Sequence, residues 1–312
     1  MTATAPPGNR PPELQDWLNA RIYHPLSRRL ALALAPTPVT PNMVSVVGGL
    51  LVVVAAVAYV GLPWPISVAI GFALHLSWHV VDGADGDLAR MTGRTSALGE
   101  LIDGASDYLS HIILYVILTL ALSDAIGGWA AWALAIGAGA SHIVQANHAE
   151  SQKRVYLWWA YGVPWMKQAR VRRDATFGGG VFGRLAGLAA QTYVRLATAM
   201  NRSADAVDAA FARADGDPTL VMAMRQTVRA RGKSMLVFAK LVGPNSRVFL
   251  LAGAMLAGSA AWFFLAEIVL LNILLVVAMM RQRADNRSLA MRLAGIADEP
   301  PARASTPPVF VV

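Results

Sequence analysis

The chain has 312 residues, of which 55% are hydrophobic, and its 27 Lys and Arg against 19 Asp and Glu give a net charge of +8. A mean hydropathy of +0.46 excludes an ordinary soluble domain and predicts an all-α, polytopic membrane protein. The absence of cysteine excludes disulfides and thiol chemistry. No aromatic-basic platform for nucleic acid is present, so we expect the excess positive charge to face anionic membrane lipids.

The N-terminal region, residues 1–42, predicts an amphipathic helix on the membrane surface. Within it, the segment 14–34 places five apolar side chains at near-helical spacing with arginines between them. These side chains are Trp17, Leu18, Ile22, Leu26 and Leu30. Three prolines between residues 36 and 41 end this helix before the first span.

Six apolar segments predict a bundle of six membrane spans. They cover residues 43–61, 65–82, 98–123, 127–148, 246–262 and 264–281. The first four spans lie within 43–150 and the last two within 243–285. If the N-terminus is cytoplasmic, the outer connections contain no Lys or Arg, and all 27 basic residues lie on the cytoplasmic side. We therefore expect both termini on the cytoplasmic side of the cell (inner) membrane.

Residues 151–242 predict a basic, helical cytoplasmic insertion. Between residues 151 and 245 there are 15 basic and 5 acidic side chains, and Asp215-Gly216-Asp217-Pro218 predicts a turn between two helical runs. The insertion is expected to lie against anionic headgroups; a role in the substrate pocket or in a dimer contact is the alternative. The tail, residues 286–312, is expected to be cytoplasmic and disordered.

The most informative pattern is a set of four acids at helical spacing, Asp82, Asp85, Asp103 and Asp107. Both acidic segments continue apolar runs, and acids at such positions are costly and usually functional. Four carboxylates directed into one space repel each other unless cations join them, and their hard oxygens suit Mg²⁺, Mn²⁺ or Ca²⁺. Asp87 falls off this face and is expected to be solvated.

Small residues accompany the acids on the same helix faces. Gly86, Ala89 and Gly99 leave room for a bulky ligand, and Arg90 stands where its guanidinium can pair with phosphate. The spacing therefore predicts a phosphate ligand beside the metal site.

The full pattern, D-x2-D-G-x2-A-R-x8-G-x3-D-x3-D, resembles the signature of the CDP-alcohol phosphotransferases (CDP-alcohol phosphatidyltransferases), class I. All eight fixed positions are present, over 26 residues. The resemblance extends to Thr40-Pro41-Asn42, at the entry to the first span. It is expected to cover about residues 20–150 and 243–285, without the insertion.

The resemblance implies transfer of a substituted phosphate from a CDP-linked donor to an alcohol, with release of CMP and two divalent ions, Mg²⁺ or Mn²⁺. It implies metal binding by Asp82, Asp85, Asp103 and Asp107, and a catalytic-base role for Asp107. CDP binding is implied for Asp82, Gly86, Ala89, Arg90 and Gly99. Members of the family are commonly homodimers, so a homodimer is expected here.

Other polar residues near the motif are open to two interpretations. His75, His79 and His111 share faces with the acids, so they could line the acceptor pocket or be buried histidines satisfied by neighbouring helices. Arg154 could bind a phosphate on the acceptor or anchor the helix at the interface. His142 could face the metal site or cap a helix end. Trp78 is expected to pack against lipid.

The motif does not identify the substrate pair. Our first choice is CDP-diacylglycerol with inositol, an inositol phosphate, glycerol phosphate or serine as acceptor. The alternative is transfer of a CDP-linked headgroup to diacylglycerol, ceramide or another lipid alcohol. Alternatives of another class are a non-catalytic scaffold and a cation transporter, although a scaffold should have lost an acid and a transporter should hold its acids near the midplane.

Overall fold

The computed structural model describes residues 11–163, 191–192 and 195–298, and these residues form helices with no strand among them. The rest of the predicted insertion, including its glycine run at 178–180, and residues 299–312 lie outside the described residues. The prediction of disorder from residue 286 is wrong for 286–298, which continue the last helix. The α-helices are α1 (His24–Leu34), α2 (Pro41–Gly61), α3 (Ile66–Met91), α4 (Ala97–Ile126), α5 (Gly128–Tyr161), α6 (Asp205–Arg213), α7 (Pro218–Leu241), α8 (Pro244–Leu256), α9 (Ala261–Leu265) and α10 (Leu271–Asp298).

Among the described residues, five helical stretches are long and apolar enough to cross a membrane. They are Pro41–Gly61, Ile66–Met91, Ile102–Ile126, Pro218–Leu256 and Ala261–Ala297. The predicted count of six is therefore not confirmed. The predicted fourth span, 127–148, lies in α5, which is not among the five because polar side chains such as His142 and Gln145 interrupt its apolar run. An all-helical, multi-pass membrane protein is supported.

The chain divides into two compact units, which we call the motif unit and the basic unit. Among the described residues, the motif unit comprises 11–150 and 236–278, and the basic unit comprises 151–163, 191–192, 195–235 and 279–298. The core of the motif unit brings together side chains from α2, α3, α4, α5, α8 and α9. Trp78, Leu118 and Phe264 are among its buried members.

Small residues let the helices of the motif unit approach closely. A Cβ atom on Gly49 of α2 would lie 2.5 Å from Ser106 Oγ of α4. Ser106 Oγ donates a hydrogen bond to the Ser45 carbonyl oxygen at 3.0 Å, which fixes this crossing. Ser106 is adjacent to Asp107 on α4, and Ser45 Oγ donates a hydrogen bond to Asp85, so the crossing positions the acidic motif.

The N-terminal helix α1 buries a face that its apolar pattern did not predict. Tyr23, Ser27 and Ala31 are buried, and Ser27 Oγ donates to the Val80 carbonyl oxygen of α3 at 2.8 Å. Trp17 is 68% exposed and Leu26 is 41% exposed. An amphipathic surface helix is therefore not confirmed, because α1 packs through a polar and small face. Contact of its exposed apolar side with lipid remains a prediction.

In the basic unit, two arginines of α7 stabilise the end of α5. Arg225 Nη1 donates to the Trp158 carbonyl oxygen and Arg229 Nε to the Ala160 carbonyl oxygen, each at 3.1 Å. The last carbonyl groups of a helix have no intrahelical partner, so cations are favourable there. Part of the positive charge in the predicted insertion therefore has an internal structural role.

A buried ion pair joins α8 to the turn between α9 and α10 in the motif unit. Arg247 Nε donates to Glu267 Oε1 at 2.9 Å, and Arg247 Nη2 donates to Gln145 Oε1 of α5 at 2.7 Å. Glu267 is 0% exposed and lies in the π-helical turn Ala266–Leu270. Removing one partner of a buried pair leaves the other charge uncompensated.

We expect Glu267→Ala to lower the free energy of unfolding by about 3–5 kcal/mol, because Arg247 would remain buried without its counterion. Thermal unfolding of the purified protein in detergent measures this change. The matched control is Asp124→Ala, which removes an exposed acid and should leave stability nearly unchanged. Equal effects of the two substitutions would contradict a structural role for the ion pair.

Candidate metal and nucleotide site

The turn between α3 and α4 brings the two acidic segments together. Gly93 adopts a left-handed conformation, with φ 66°, directly after α3. Ser96 then caps α4, since its Oγ accepts a hydrogen bond from the Gly99 backbone N–H at 3.0 Å. A serine cap and a glycine with positive φ are favourable at these positions. The chain therefore reverses directly, and the acids of α4 return beside those of α3.

The four predicted acids converge at this turn. Oxygens of Asp82, Asp85 and Asp103 all lie within 4.8 Å of one another. Asp107 interacts with Asp82 through their carboxyl groups, so it lies at the edge of the same cluster. The structure thus brings together the residues predicted to bind metal.

The donor set of this cluster fits a hard divalent cation. Asp85 is 5% exposed and accepts hydrogen bonds from Ser45 Oγ and from the Gly86 backbone N–H. Among the described residues, no lysine, arginine or histidine forms an ion pair with Asp82, Asp85 or Asp103. Carboxylate oxygens without a basic partner suit Mg²⁺ or Mn²⁺.

A cavity of about 130 Å³ opens beside the acids and contains most of the predicted CDP positions. Gly86, Ala89, Arg90 and Gly99 line it, whereas Asp82, also predicted to contact CDP, does not. The other lining residues are Pro41, Asn42, Ser45, Asp85, Arg94, Thr95, Ser96 and Asp103. A cavity that joins acids, glycines and two arginines suits a phosphate ligand held with a cation.

Sequence reasoning missed several polar residues of this cavity. Arg94, Thr95 and Ser96 belong to the eight-residue gap of the motif. A turn followed by the N-cap of α4 could have been predicted there, and that prediction would have placed these residues beside the acids. Asn42 belongs to the predicted entry to the first span, but no cavity role was assigned to it. A Cβ on Gly99 would lie 3.4 Å from Asn42 Oδ1, so this glycine keeps space at the cavity wall.

Arg90 lies at the cavity but pairs with a residue that was expected to be solvated. Its Nη2 atom is 2.5 Å from Asp87 Oδ1, and the two side chains are 47% and 24% exposed. Asp87 is partly exposed, and it also pairs with Arg90 because an acid three residues before an arginine lies on the same helix face. The guanidinium has five N–H donors, so this pairing leaves others for a phosphate.

Trp78 is a buried part of the site, and its predicted packing against lipid is wrong. The side chain is 5% exposed, and its Nε1–H donates to Asp107 Oδ1 at 3.1 Å. The rings of His75, His79 and His111 surround it, with centroids 4.5 to 5.9 Å from the indole. These three predicted pocket histidines therefore lie together, next to Asp107.

Two other candidate residues lie elsewhere. His142 Nδ1 lies 3.2 Å from Tyr115 Oη and 3.8 Å from Glu267 Oε1, so it belongs to the surroundings of the buried ion pair. Arg154 is exposed and belongs to the basic unit. The structure does not group either residue with the acids.

Comparison with known families confirms the resemblance. Residues 38–164 match the family model described as CDP-alcohol phosphatidyltransferase, and the match contains the whole motif, Asp82 to Asp107. It does not extend to 243–285, where the resemblance was also expected. The chain matches no curated protein. The family match supports a transferase that moves a substituted phosphate from a CDP-alcohol, and the family uses divalent metal.

We expect Asp85→Asn to abolish stabilisation of the protein by Mg²⁺ or Mn²⁺. A cation that binds only the folded state raises the melting temperature, and removing a ligand lowers its affinity. Thermal shift with increasing Mn²⁺ measures this effect. Asp87→Asn is the matched control on the same helix and should keep the response, because Asp87 pairs with Arg90. Loss of the response in both variants would argue against a site centred on Asp85.

Proposed function

We propose that this chain is a phospholipid-biosynthetic transferase. It moves a substituted phosphate from a CDP-linked donor to an alcohol acceptor and releases CMP. The observation that carries the proposal is the convergence of Asp82, Asp85 and Asp103 beside a cavity lined by Gly86, Arg90 and other positions of the motif. A metal site with a purely structural role would require neither the small residues that line the cavity nor Arg90 and Arg94.

Each part of the site has a role in this reaction. Asp107 takes the proton from the acceptor hydroxyl, and the hydroxyl oxygen attacks the β-phosphorus of the donor. The bond from that phosphorus to the bridging oxygen breaks, and its electron pair leaves on CMP. Trp78 holds the Asp107 carboxylate in place, since its indole N–H donates to Oδ1. Phosphoryl transfer depends mainly on such positioning and on charge stabilisation.

The four acids would hold two divalent ions, which neutralise the pyrophosphate and the charge that develops on the leaving CMP oxygen. Gly86, Ala89 and Gly99 leave the space for CDP. Arg90 donates to a phosphate oxygen while Asp87 fixes its orientation. The residues proposed to bind the nucleotide line the cavity, whereas Asp107 does not line it and accepts a hydrogen bond from Trp78.

For the substrate pair, CDP-diacylglycerol with a polar acceptor of the inositol, inositol phosphate, glycerol phosphate or serine type is our first choice. Transfer of a CDP-linked headgroup to a lipid alcohol is the alternative. One observation keeps this alternative open: the motif unit contains a largely apolar cavity of about 840 Å³, lined by residues that include Trp17, Phe249 and Leu274. This cavity suits the chain of a lipid substrate in either arrangement.

We place the enzyme in the cell (inner) membrane with its site at the cytoplasmic face. The distribution of basic residues supports this orientation. We also propose homodimers and contact between the basic insertion and anionic lipids, the first from the family resemblance alone and the second from the charge of residues 151–242.

We expect Asp107→Asn to lower CMP release by at least about 100-fold while CDP binding survives, because the amide cannot accept the proton. Asp82→Asn should also weaken metal and CDP binding.

The assay is metal-dependent CMP release by purified protein in detergent, with CDP-diacylglycerol, CDP-choline, CDP-ethanolamine and CDP-inositol tested against polar and lipid alcohols. Full activity of Asp107→Asn would exclude the base assignment; no CMP release and no CDP binding by the native chain would favour a scaffold or a transporter.

We expect Trp78→Phe to lower kcat roughly tenfold and to leave the affinities for CDP and metal nearly unchanged, because only the hydrogen bond to Asp107 is lost. Steady-state kinetics with nucleotide titration separates these effects. Trp64→Phe is the control, since Trp64 is 63% exposed and lies at the opposite end of α3. A fall in CDP affinity equal to the fall in kcat would indicate a general structural role for Trp78.

A further inference from the structure

Arg94 is a cavity residue that the motif does not contain. It belongs to the eight residues between Arg90 and Gly99, and it lines the same cavity as Asp85 and Asp103. Arg94 is exposed, so a ligand that enters the cavity from solvent can reach its side chain. A guanidinium in such a position can bind an anionic group of a ligand.

The backbone turn after α3 fixes where the Arg94 side chain begins. Gly93 has φ 66°, and the following backbone N–H, that of Arg94, donates to the Ala89 carbonyl oxygen at 2.9 Å. A glycine with positive φ followed by a hydrogen bond back into the last turn is a common way to end a helix. Because Ala89 also lines the cavity, the Arg94 side chain starts from a fixed point beside it.

The two arginines of the cavity differ in their partners. Arg90 pairs with Asp87, and its guanidinium lies along α3, where a Cβ atom on Gly86 would be 3.3 Å from Arg90 Nη1. Among the described side chains, no acid forms an ion pair with Arg94. A bound phosphate therefore competes with Asp87 for Arg90, whereas Arg94 can donate to a phosphate without losing an ion pair.

The cavity thus contains charges of both signs that do not neutralise each other. Asp85 and Asp103 form no ion pair with Arg94, although all three residues line the cavity. A diphosphate satisfies both charges, because its oxygens can bind a cation held by the acids and can also accept hydrogen bonds from a guanidinium. The cavity volume of about 130 Å³ is closer to the size of phosphate groups than to that of a whole nucleotide.

We infer that Arg94 binds the diphosphate of the CDP-linked donor and determines the affinity for that donor. This inference rests on the proposed function and adds a binding residue to it. The four acids repel an anionic donor until cations neutralise them, and an arginine without an acid partner supplies attraction at the same place. The planar guanidinium can also donate two parallel hydrogen bonds to one phosphate group, which fixes the orientation of the diphosphate.

We expect Arg94→Gln to weaken CDP binding at least about tenfold in the presence of Mn²⁺, because charge-assisted hydrogen bonds to phosphate are lost. Arg94→Lys keeps the charge but not the planar fork, so it should recover part of the loss. Isothermal titration of CDP into the purified protein in detergent measures the affinity. Arg29→Gln is the matched control, since Arg29 is an exposed arginine of α1 that does not line the cavity.

Titration with Mn²⁺ in the absence of nucleotide separates phosphate binding from a role in the metal site. Arg94 repels cations, so Arg94→Gln should bind Mn²⁺ at least as tightly as the native protein does. The inference is overturned by an unchanged CDP affinity in Arg94→Gln, by an equal loss in Arg29→Gln, or by an equal loss of Mn²⁺ and CDP affinity in Arg94→Gln. A native protein that neither binds CDP nor releases CMP from any donor would instead reject the proposed function itself.

Discussion

Carboxylate groups whose oxygens lie within 4.8 Å of one another repel strongly inside an apolar helical bundle, and the rest of the motif unit accommodates this repulsion. Ser45 and the Gly86 N–H hold Asp85, and the Gly49–Ser106 crossing fixes α2 against α4. Among the described residues, no ion pair with a basic side chain compensates Asp82, Asp85 or Asp103. Binding of a cation would remove this repulsion, which is the physical basis for proposing a metal here.

The order of the acids along the chain separates the two halves of the site. Asp85 and Asp103 line the cavity beside Gly86 and Gly99, whereas Asp107 lies one turn deeper, against Trp78. Asp82 interacts with Asp107 and does not line the cavity. In the proposed reaction, one helical turn separates the cavity positions assigned to the nucleotide from the residue assigned to proton removal, so a single pair of helices would position both.

The sequence allowed the acid cluster and the cavity glycines to be predicted, because residues at i, i+3 and i+4 on one helix share a face by geometry alone. Features that depend on partners distant in the chain were missed. Trp78 donates a hydrogen bond to Asp107, 29 residues further along the chain, whereas its apolar surroundings in the sequence had predicted packing against lipid. The predicted fourth span was not confirmed, because α5 carries polar residues such as Gln145, which binds Arg247. For α1, a small and polar face packs on α3, which an apolar pattern cannot reveal.

The same reasoning explains why the motif does not identify the acceptor. The resemblance assigns its fixed positions to the parts that every donor shares, namely the pyrophosphate and the nucleotide, so they carry little information about the alcohol. The aromatic residues near Trp78 lie outside the pattern: Tyr23 precedes α1, and His75 and His79 precede the first acid on α3. His75 and His79 contact Trp78, which donates a hydrogen bond to Asp107, and Tyr23 stacks on His79. The surroundings of the proposed base are therefore built from residues that the pattern does not specify, which is why the pattern predicts the transfer chemistry and not the acceptor.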